Sequence, residues 1–190
     1  PIESVADLQG MNIRIGGLGG QVYARVGANP VSLPAGEIST ALQTGRLDGA
    51  ELSFPSVDVL LGFDQVANHY YFPGWHQPSG FIEFYMNADR WEGLSEAERA
   101  AIETACKDIN TWTIGEAVAA QSPVLEEFES RGVEVSRLPD EVIAALRSAT
   151  EEVIAEQAEA NDLFQRTWES YRAFSVEYDA YQALTAFDRF

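Results

Sequence analysis

Apolar positions in the first part of the chain alternate between strand spacing and helix spacing. Short apolar runs of strand length are separated by stretches in which apolar residues recur every three or four positions, as on one face of a helix. The predicted elements are a strand at 11–15, a short helix at 22–26, a strand at 29–33, a helix at 34–45 and a strand or strand-end loop at 48–52. This β-α-β-α-β order predicts a parallel sheet covered by helices and therefore an α/β fold.

Helical periodicity dominates the remainder of the chain. The predicted elements are a helix at 57–70, an irregular loop at 71–80, a strand at 81–87, a long helix from 95 to 132, a strand at 132–138 and a helical region from 139 onward with a break at 161–162. Ser95 and Glu98 form the capping-box pattern that begins the long helix. Pro123 is expected to kink or split that helix, because proline has no N–H and its ring clashes with the preceding turn.

The long helix carries an apolar stripe that is expected to face a core. The stripe consists of Ala101, Ile102, Ala105, Cys106 and Ile109. Cys106 is the one cysteine of the chain, so an internal disulfide is excluded. Its place on the stripe predicts a buried thiol rather than a nucleophile.

Length and composition bound the classes of function. A chain of 190 residues with 46% hydrophobic residues is long enough for one domain with a proper core. Its formal charge of −18 argues against nucleic acid or an anionic membrane surface as a partner. No apolar run reaches the length of a transmembrane helix. The chain opens at Pro1 without a methionine or a secretory peptide, so a truncation is expected.

The C-terminal segment from 161 to 190 is rich in aromatic side chains. They are Phe164, Trp168, Tyr171, Phe174, Tyr178, Tyr181, Phe187 and Phe190. An exposed aromatic patch of this kind usually marks an interface. A second interpretation, in which the segment packs back on its own domain, stays open.

No catalytic arrangement stands out in the sequence. HExxH, CxxC, GxSxG and P-loop patterns are all absent, and the histidines are His69 and His76. His69 falls at the end of the predicted helix 57–70 and is interpreted as a surface or capping residue. None of the 30 acidic residues is singled out as a general base. The sequence therefore does not indicate an enzyme.

Arg14 is the first candidate binding residue. A strand alternates its faces, so Arg14 points away from the face that carries Ile13 and Ile15. Four glycines follow between residues 16 and 20, which predicts a turn where the backbone closely approaches another group. An arginine at the end of such a strand is a suitable fork for a carboxylate. Taken alone, Arg14 is better explained as a half-exposed arginine paired with one of the many acids.

Glu51 and the loop at 71–80 supply the other candidates. Glu51 ends a predicted parallel strand, at the edge where open α/β sheets bind ligands, and its carboxylate suits a hard cation. An ordinary solvated acid is the alternative. Gln77 offers a neutral oxygen and two donors. Trp75 and Phe54 are interpreted either as the apolar wall of a pocket or as core residues.

Several motifs together resemble the extracytoplasmic solute-binding proteins of TRAP transporters. The motifs are Asp7–Arg14, Gly27–Val31 and Glu37–Glu51, in that order along the chain. The segments Gly16–Gly20 and Tyr70–Gln77 further resemble the branch of the family that binds α-keto and hydroxy acids. The similarity covers essentially the whole chain. It also accounts for the abrupt start, since the chain resembles the C-terminal part of such a protein without its N-terminal lobe.

The resemblance implies a periplasmic-binding-protein-like (type II) two-lobed fold, here incomplete, with long C-terminal helices. It implies that Arg14 grips the ligand carboxylate, and that Glu51, the backbone carbonyl of Leu52 and Gln77 hold a cation, Na⁺ or Ca²⁺, beside the ligand. The branch usually has tryptophan where this chain has Leu52. Trp75 and Phe54 would line the same ligand site.

The resemblance also implies partners and a location. The protein would work in the periplasm, bind a small organic acid, deliver it to the TRAP membrane subunits, and form a homodimer through its C-terminal helices. Within the chain, 1–52 would form a ligand-gripping lobe, 53–87 a crossover with the Trp-rich loop, and 88–190 long helices, one strand and the aromatic tail. An alternative hypothesis is an acidic sensory or scaffold module that acts through that tail, and an enzyme comes third.

Overall fold

The computed structural model describes residues 1–77, 80 and 82–185. Its strands are β1 (Asn12–Arg14), β2 (Asn29–Val31), β3 (Gly49–Ala50), β4 (His69–Tyr71) and β5 (Glu134–Ser136). Its α-helices are α1 (Gly17–Arg25), α2 (Ala35–Gln43), α3 (Pro55–Asp58), α4 (Ala88–Glu92), α5 (Glu96–Ser130), α6 (Asp140–Ala160) and α7 (Asp162–Thr185). Short 3-10 turns lie at Val5–Leu8, Val59–Leu61 and Phe63–Gln65. The predicted β-α-β-α-β order through residue 50 is confirmed.

The first sheet is parallel and has the strand order β2-β1-β3. In its register, Arg14 at the end of β1 lies between Val31 of β2 and Ala50 of β3. Parallel strands end at the same edge of a sheet, so the segments that follow these three strands emerge side by side. This edge is where the candidate binding residues Arg14 and Glu51 meet.

The larger core lies between the first sheet, α1 and α6. Helix α6 contributes buried residues at a spacing of three or four, which are Val142, Leu146, Ala149 and Val153. They share one cluster with Leu8, Ile13, Ile15, Val22, Tyr23, Val26 and Ala28. A single apolar face of α6 thus covers the sheet, as the helical period of its sequence requires.

The glycine-rich stretch after β1 is the beginning of a helix rather than a turn. Helix α1 starts at Gly17, whose φ of +58° lies in the left-handed region. A Cβ atom at Gly20 would lie 3.4 Å from the carbonyl oxygen of Ile15 and 3.4 Å from Pro30 Cβ. The absence of side chains therefore lets the first turns of α1 pack tightly against the ends of β1 and β2. The prediction that this helix begins at Val22 is wrong.

The predicted helix at 57–70 is also wrong. The structure has the one-turn helix α3, two 3-10 turns and strand β4 in this region. Gly62 adopts a φ of +70°, which ends regular helical geometry between the two 3-10 turns. Because β4 finds a parallel partner in β5, the end of the segment is extended instead of helical.

Strand β4 packs on the C-terminal end of α5. The Tyr70 ring meets the fully buried Phe128 ring edge-on, with a centroid distance of 4.9 Å. His69 lies opposite Glu134 of β5, and its Nδ1 atom is 3.4 Å from the Glu134 carboxylate. His69 is therefore a strand residue next to an acid, not the helix-end residue that the sequence suggested.

Helix α5 begins as predicted but does not break at Pro123. The Ser95 hydroxyl and the Glu98 carboxylate form the capping box, with 2.8 Å between Ser95 N and Glu98 Oε2. One continuous helix runs from Glu96 to Ser130 with Pro123 inside it. The loss of a single backbone hydrogen bond at proline is thus accommodated, and the helix ends just before Gly132, where φ is +88°.

The apolar stripe of α5 does not face a core within the described residues. Ala101, Ala105, Cys106 and Ile109 are exposed, and Ile102 is half-buried. The prediction of a buried thiol at Cys106 is therefore wrong. The physical reason is that α5 packs on α3 and β5 through its C-terminal half, where Gln121 bonds to Ser56 and Phe128 is buried.

The segment that precedes α4 lies beside this exposed stripe. Residues 82–87 have no strand partner, and Ile82 is 99% exposed. The predicted strand at 81–87 is thus absent over 82–87, since alternation alone does not make a strand without a neighbour to pair with; Phe81 lies outside the described residues. Ile82, Phe84, Met86, Trp91, Ile102 and Cys106 line one open apolar groove.

Helices α6 and α7 are separated at Asn161, as predicted. The Asn161 side-chain oxygen accepts a hydrogen bond from the Phe164 N–H at 2.9 Å and so caps α7. Rings stack along α7 in the pairs Trp168–Tyr171 and Phe174–Tyr178. Tyr171 and Phe174 remain about 60% exposed, so α7 presents an aromatic face that the described residues leave uncovered. Phe187 and Phe190 lie outside those residues.

Candidate functional site

Arg14 is held in place by two backbone carbonyl groups at the carboxyl edge of the first sheet. Its Nε–H donates to the Leu33 carbonyl oxygen at 3.1 Å, and its Nη1 donates to the Glu51 carbonyl oxygen at 2.7 Å. In residues 1–77, 80 and 82–185 it forms no ion pair with any carboxylate. The interpretation of Arg14 as a partner of a neighbouring acid is therefore wrong for this part of the chain. Its guanidinium is oriented by neutral groups and keeps its full positive charge for another partner.

Glu51 lies directly beside Arg14. Its backbone N–H donates to the Arg14 carbonyl oxygen at 2.8 Å. Burial raises the pKa of Tyr23, and the negative charge of Glu51 raises that pKa further. The same charge contributes to the raised pKa of Asp58. Glu51 is thus close to both groups, and its own carboxylate enters no ion pair in the part of the chain that the structure describes.

The side chain of Leu52 is committed to the second core cluster. That cluster consists of Leu33, Ile38, Ala41, Leu47 and Phe63, and Leu52 packs against it as a half-buried residue. Its side chain therefore fills a packing role, and its backbone carbonyl is the atom with ligand chemistry to offer.

Trp75 packs against the larger core. Its ring meets the Tyr23 ring edge-on at a centroid distance of 5.8 Å, and it lies 4.7 Å from the His76 ring. Trp75 Nε1 lies close enough to the Tyr23 hydroxyl to lower the pKa of Tyr23, and the buried His76 Nδ1 has no hydrogen-bond partner in the described residues. Tyr23, Trp75 and His76 thus form one aromatic cluster, of which Tyr23 lies within electrostatic range of Glu51.

Gln77 and Phe54 are less closely integrated. Gln77 is exposed and makes no hydrogen bond to Arg14, Glu51 or Leu52 within the described ranges. Phe54 is 39% exposed and immediately precedes α3. Of the six candidate residues, the structure brings Arg14, Glu51 and Leu52 together at one edge, places Trp75 against Tyr23, and leaves Gln77 and Phe54 at the periphery.

The donor atoms of this region fit a hard cation. No group of three or more His, Cys, Asp or Glu residues suited to a metal occurs among the residues described. The candidate ligands are instead the Glu51 carboxylate, the Leu52 carbonyl and the Gln77 amide, which are all oxygen donors. Calcium and similar hard cations take such donors and complete their coordination with ligand or water oxygens. Of these atoms, the unpaired Glu51 carboxylate is the best placed to hold positive charge.

Sequence reasoning missed Tyr23, His76 and the pair Asp58–Tyr70. Asp58 is 5% exposed, and the Tyr70 hydroxyl donates to its Oδ2 atom at 2.7 Å. Burial raises the pKa of Asp58 to about 6, against the lowering effect of the Tyr70 hydrogen bond. The one available signal was the placement of Asp58 between valines, since an acid inside an apolar run is either solvated or paired.

Comparison with known proteins assigns the family. Residues 1–161 match the model of the DctP family, described as bacterial extracellular solute-binding protein, family 7. The chain belongs to this family. The resemblance and the α/β fold class that the sequence indicated are therefore confirmed.

Three relatives illustrate the similarity. A monocarboxylate 2-oxoacid-binding periplasmic protein of Nostoc sp. is 32% identical over 183 residues, covering 96% of this chain and 50% of its own length. A TRAP transporter solute-binding protein of Bordetella bronchiseptica, solved as a mixed-occupancy dimer with copurified calcium and picolinate, has a TM-score of 0.88 and 33% identity over 97% of this chain and 55% of its own. A TRAP periplasmic solute-binding protein of Pseudoalteromonas atlantica, solved with sodium and pyruvate, has a TM-score of 0.85 and 28% sequence identity. The match covers 97% of this chain and 56% of that protein.

This chain spans about half the length of the proteins that it matches. It therefore corresponds to about half of a type II periplasmic-binding-protein fold. None of its described helices is long and apolar enough to cross a membrane. The family is one of solute-binding proteins, which fits the binding hypothesis and not the alternative of a scaffold module.

Proposed function

We propose that this chain is part of a periplasmic solute-binding protein that captures a small organic acid together with a cation and delivers it to the membrane subunits of a TRAP transporter. The ligand class is an α-keto or hydroxy monocarboxylate. The observation that carries this proposal is the Arg14 guanidinium, which two carbonyl groups orient and no carboxylate of the described residues neutralises. Similarity to proteins solved with pyruvate or picolinate supports the ligand class.

Arg14 would bind the carboxylate of the acid through its remaining N–H groups. The planar fork of a guanidinium matches a carboxylate, and a hydrogen bond that involves a charged group contributes about 1.5–3 kcal/mol. The carbonyls of Leu33 and Glu51 fix the plane of the fork before the ligand arrives. Less conformational entropy is therefore lost on binding.

The cation would lie beside the ligand and bind to the Glu51 carboxylate, the Leu52 carbonyl and the Gln77 amide. A positive ion there compensates the negative charge that Glu51 places near the anionic ligand. It also gives the keto or hydroxy oxygen of the ligand a partner, which favours these acids over simple carboxylates. Relatives with calcium or sodium support both ions as candidates. Trp75 and Phe54 would close the apolar side of the site.

Binding without chemistry is the activity that follows from this arrangement. The proposed site holds a cationic fork and oxygen donors, and no nucleophile with an adjacent base is part of it. We therefore propose that the protein is not an enzyme. Its acidic surface suits a solvated periplasmic protein.

The aromatic face of α7 would form a homodimer interface. Tyr171, Phe174 and Tyr181 are each about 60% exposed along one helix. A second copy of α7 would cover them, since aromatic side chains are enriched at protein interfaces. The dimer of the B. bronchiseptica relative supports this partner.

The test is calorimetric titration of the intact protein with pyruvate, lactate and longer keto acids. Each acid is titrated with sodium, with calcium and after chelation and desalting. We expect saturable binding that requires a cation and that is lost in Arg14→Ala. Failure of every acid to bind would refute the proposed function, and unchanged affinity in Arg14→Ala would refute the role of the arginine.

A further inference from the structure

The region around the proposed site contains a buried acid, Asp58, that has no proposed role in binding the organic acid or the cation. Asp58 is the one charged residue among those described that falls in the buried class, and it ends α3. Its Oδ2 atom accepts a hydrogen bond from Tyr70, and the Ser53 backbone N–H interacts weakly with the carboxylate, while Oδ1 has no partner at normal hydrogen-bond distance and angle. A buried carboxylate with incomplete hydrogen bonding is costly to the folded state. Such a residue calls for a role other than stabilisation.

The Asp58–Tyr70 hydrogen bond joins two segments that both carry proposed ligand-binding residues. Asp58 belongs to α3, which follows directly on the segment from Glu51 to Phe54. Tyr70 belongs to β4, which leads into the loop that carries Trp75 and Gln77. Within the described residues, no other hydrogen bond connects α3 with β4. This hydrogen bond is therefore the one direct polar link between α3 and β4 among the described residues.

Both ends of the bond are anchored in the fold. On one side, the Gln121 side chain of α5 accepts a hydrogen bond from the Ser56 N–H at 3.1 Å and donates to the Ser56 hydroxyl at 3.0 Å. On the other side, the Tyr70 ring packs on Phe128 of the same helix. Helix α5 thus supports α3 and β4 separately, and the Asp58–Tyr70 bond closes the connection between them.

We propose that Asp58 and Tyr70 are a positioning pair that holds the Glu51–Leu52 segment against the Trp75–Gln77 loop and so sets the affinity for the acid and its cation. This inference rests on the proposed function, since it assigns a task within the same site. Neither residue touches the ligand. Their hydrogen bond keeps the Glu51 and Leu52 oxygens at the spacing from the loop at which one cation can be shared.

The experiment measures pyruvate binding by the intact protein in the presence of calcium, for the wild type, Tyr70→Phe, Asp58→Ala and Asp58→Asn. Tyr70→Phe keeps the ring on Phe128 and removes only the donor. We expect its dissociation constant to rise roughly three- to tenfold, the usual effect of one lost hydrogen bond. Asp58→Ala should weaken binding at least as much. Asp58→Asn should restore affinity to within about twofold of the wild type, because an amide oxygen still accepts from Tyr70.

Tyr71→Phe is the matched control. Tyr71 is the next residue of β4, and its hydroxyl accepts a hydrogen bond from the Ile2 N–H at 2.5 Å, near the first residue of the chain and not from α3. Tyr70→Phe and Tyr71→Phe remove the same hydroxyl group, and each loses one hydrogen bond. Circular dichroism checks the folded fraction of both variants. A purely structural role would lower the thermal midpoint in both variants and leave their affinities equal.

The outcomes separate the inference from the proposed function. Wild-type affinity in folded Tyr70→Phe, or failure of Asp58→Asn to recover binding lost in Asp58→Ala, overturns the positioning pair alone. If the wild type binds neither pyruvate nor any other acid of the calorimetric series, the proposed function and the pair are overturned together. Weakening in Tyr70→Phe with recovery in Asp58→Asn and no change in Tyr71→Phe supports the pair.

Discussion

Arg14 and Glu51 bond to each other in both directions. The Arg14 side chain donates to the Glu51 carbonyl oxygen at 2.7 Å, and the Glu51 backbone N–H donates to the Arg14 carbonyl oxygen at 2.8 Å. The two residues are adjacent through β1 and β3, so the positive fork and the acidic side chain share one rigid support. The Arg14 guanidinium and the Glu51 carboxylate are thus held near each other by hydrogen bonds that involve the backbone, with no salt bridge between the two side chains. The first two predictions follow from this arrangement.

Replacement of Arg14 by lysine should weaken binding of pyruvate at least about tenfold. Lysine keeps the charge but loses the planar fork and the contact with the Leu33 carbonyl, so the carboxylate is held by a point charge without fixed orientation. Isothermal calorimetry on the intact protein measures the change. Arg46→Lys, at an exposed position after α2, is the control and should bind as the wild type does. Equal affinities in the two variants would contradict the role of the fork.

Replacement of Glu51 by glutamine should remove the dependence of binding on calcium. The backbone contacts with Arg14 persist, but the carboxylate that holds the cation is lost. Pyruvate titrations at increasing calcium concentration give the readout. Glu37→Gln changes an exposed acid in the first turn of α2 and serves as the control for net charge. Calcium dependence that persists in Glu51→Gln would place the cation elsewhere.

Replacement of Asp58 by asparagine should flatten the dependence of stability on pH. Burial raises the pKa of Asp58 from 3.8 to about 6, so the native state binds the proton more tightly than the unfolded state. This group therefore makes the protein most stable below about pH 4, and that contribution is lost as pH rises to about 6. The loss amounts to at most about 3 kcal/mol at neutral pH.

Urea unfolding at several pH values between about 4 and 7 measures this effect. The difference in free energy of unfolding between Asp58→Asn and the wild type should shift in favour of the variant as pH rises. Other acids titrate in the same range, but they are common to both proteins and cancel in the difference. A difference that stays constant with pH would show that Asp58 does not titrate in this window.

Replacement of Leu146 by alanine should lower the free energy of unfolding by about 2–5 kcal/mol. Leu146 is fully buried between α6 and the first sheet, so its truncation removes apolar burial and leaves a cavity. Leu60→Ala is the control, because Leu60 is 83% exposed and its change should stay within about 0.5 kcal/mol. Chemical denaturation of the two variants checks the prediction, which a loss below about 1 kcal/mol in Leu146→Ala would contradict.

Replacement of Phe174 and Tyr178 by serine should dissociate the proposed dimer and leave ligand affinity unchanged. The two rings stack at a centroid distance of 5.8 Å on the exposed face of α7, away from Arg14. Sedimentation analysis reports the mass, with Ala173→Ser as the control on the same helix. A monomeric wild type, or a double variant that remains dimeric, would argue against α7 as the interface.

The first sheet could be predicted from the sequence because its information is local. Short apolar runs, helical spacing and glycine stops recur within about fifty residues, and each strand pairs with one nearby in the sequence. The position of Arg14 followed from strand alternation at the same range. The beginning of α1 could not be predicted. Four nearby glycines indicate a turn unless one knows that tight packing against β1 and β2 excludes side chains there.

The second half of the proposed site depends on distant residues and could not be predicted. His69–Tyr71 has no local feature that distinguishes a strand from the end of a helix, and its extended form comes from pairing with β5. Asp58 looks like a solvated acid until Tyr70 and Phe128 are placed around it. The apolar stripe does lie on helix α5, as predicted. The sequence pattern does not tell which other element packs against the stripe, and among the described residues most of the stripe is exposed.

The pairing of β4 with β5 has a consequence for the order of folding. Residues 72–133, including the whole of α5, separate the two strands along the chain. Closing so long a loop is slow, because its entropy is lost before the contacts form. During synthesis, β4 therefore has no strand to pair with until β5 has left the ribosome. A nascent chain arrested before residue 134 would lack the β4–β5 pair and also the α6 residues that complete the core around β1.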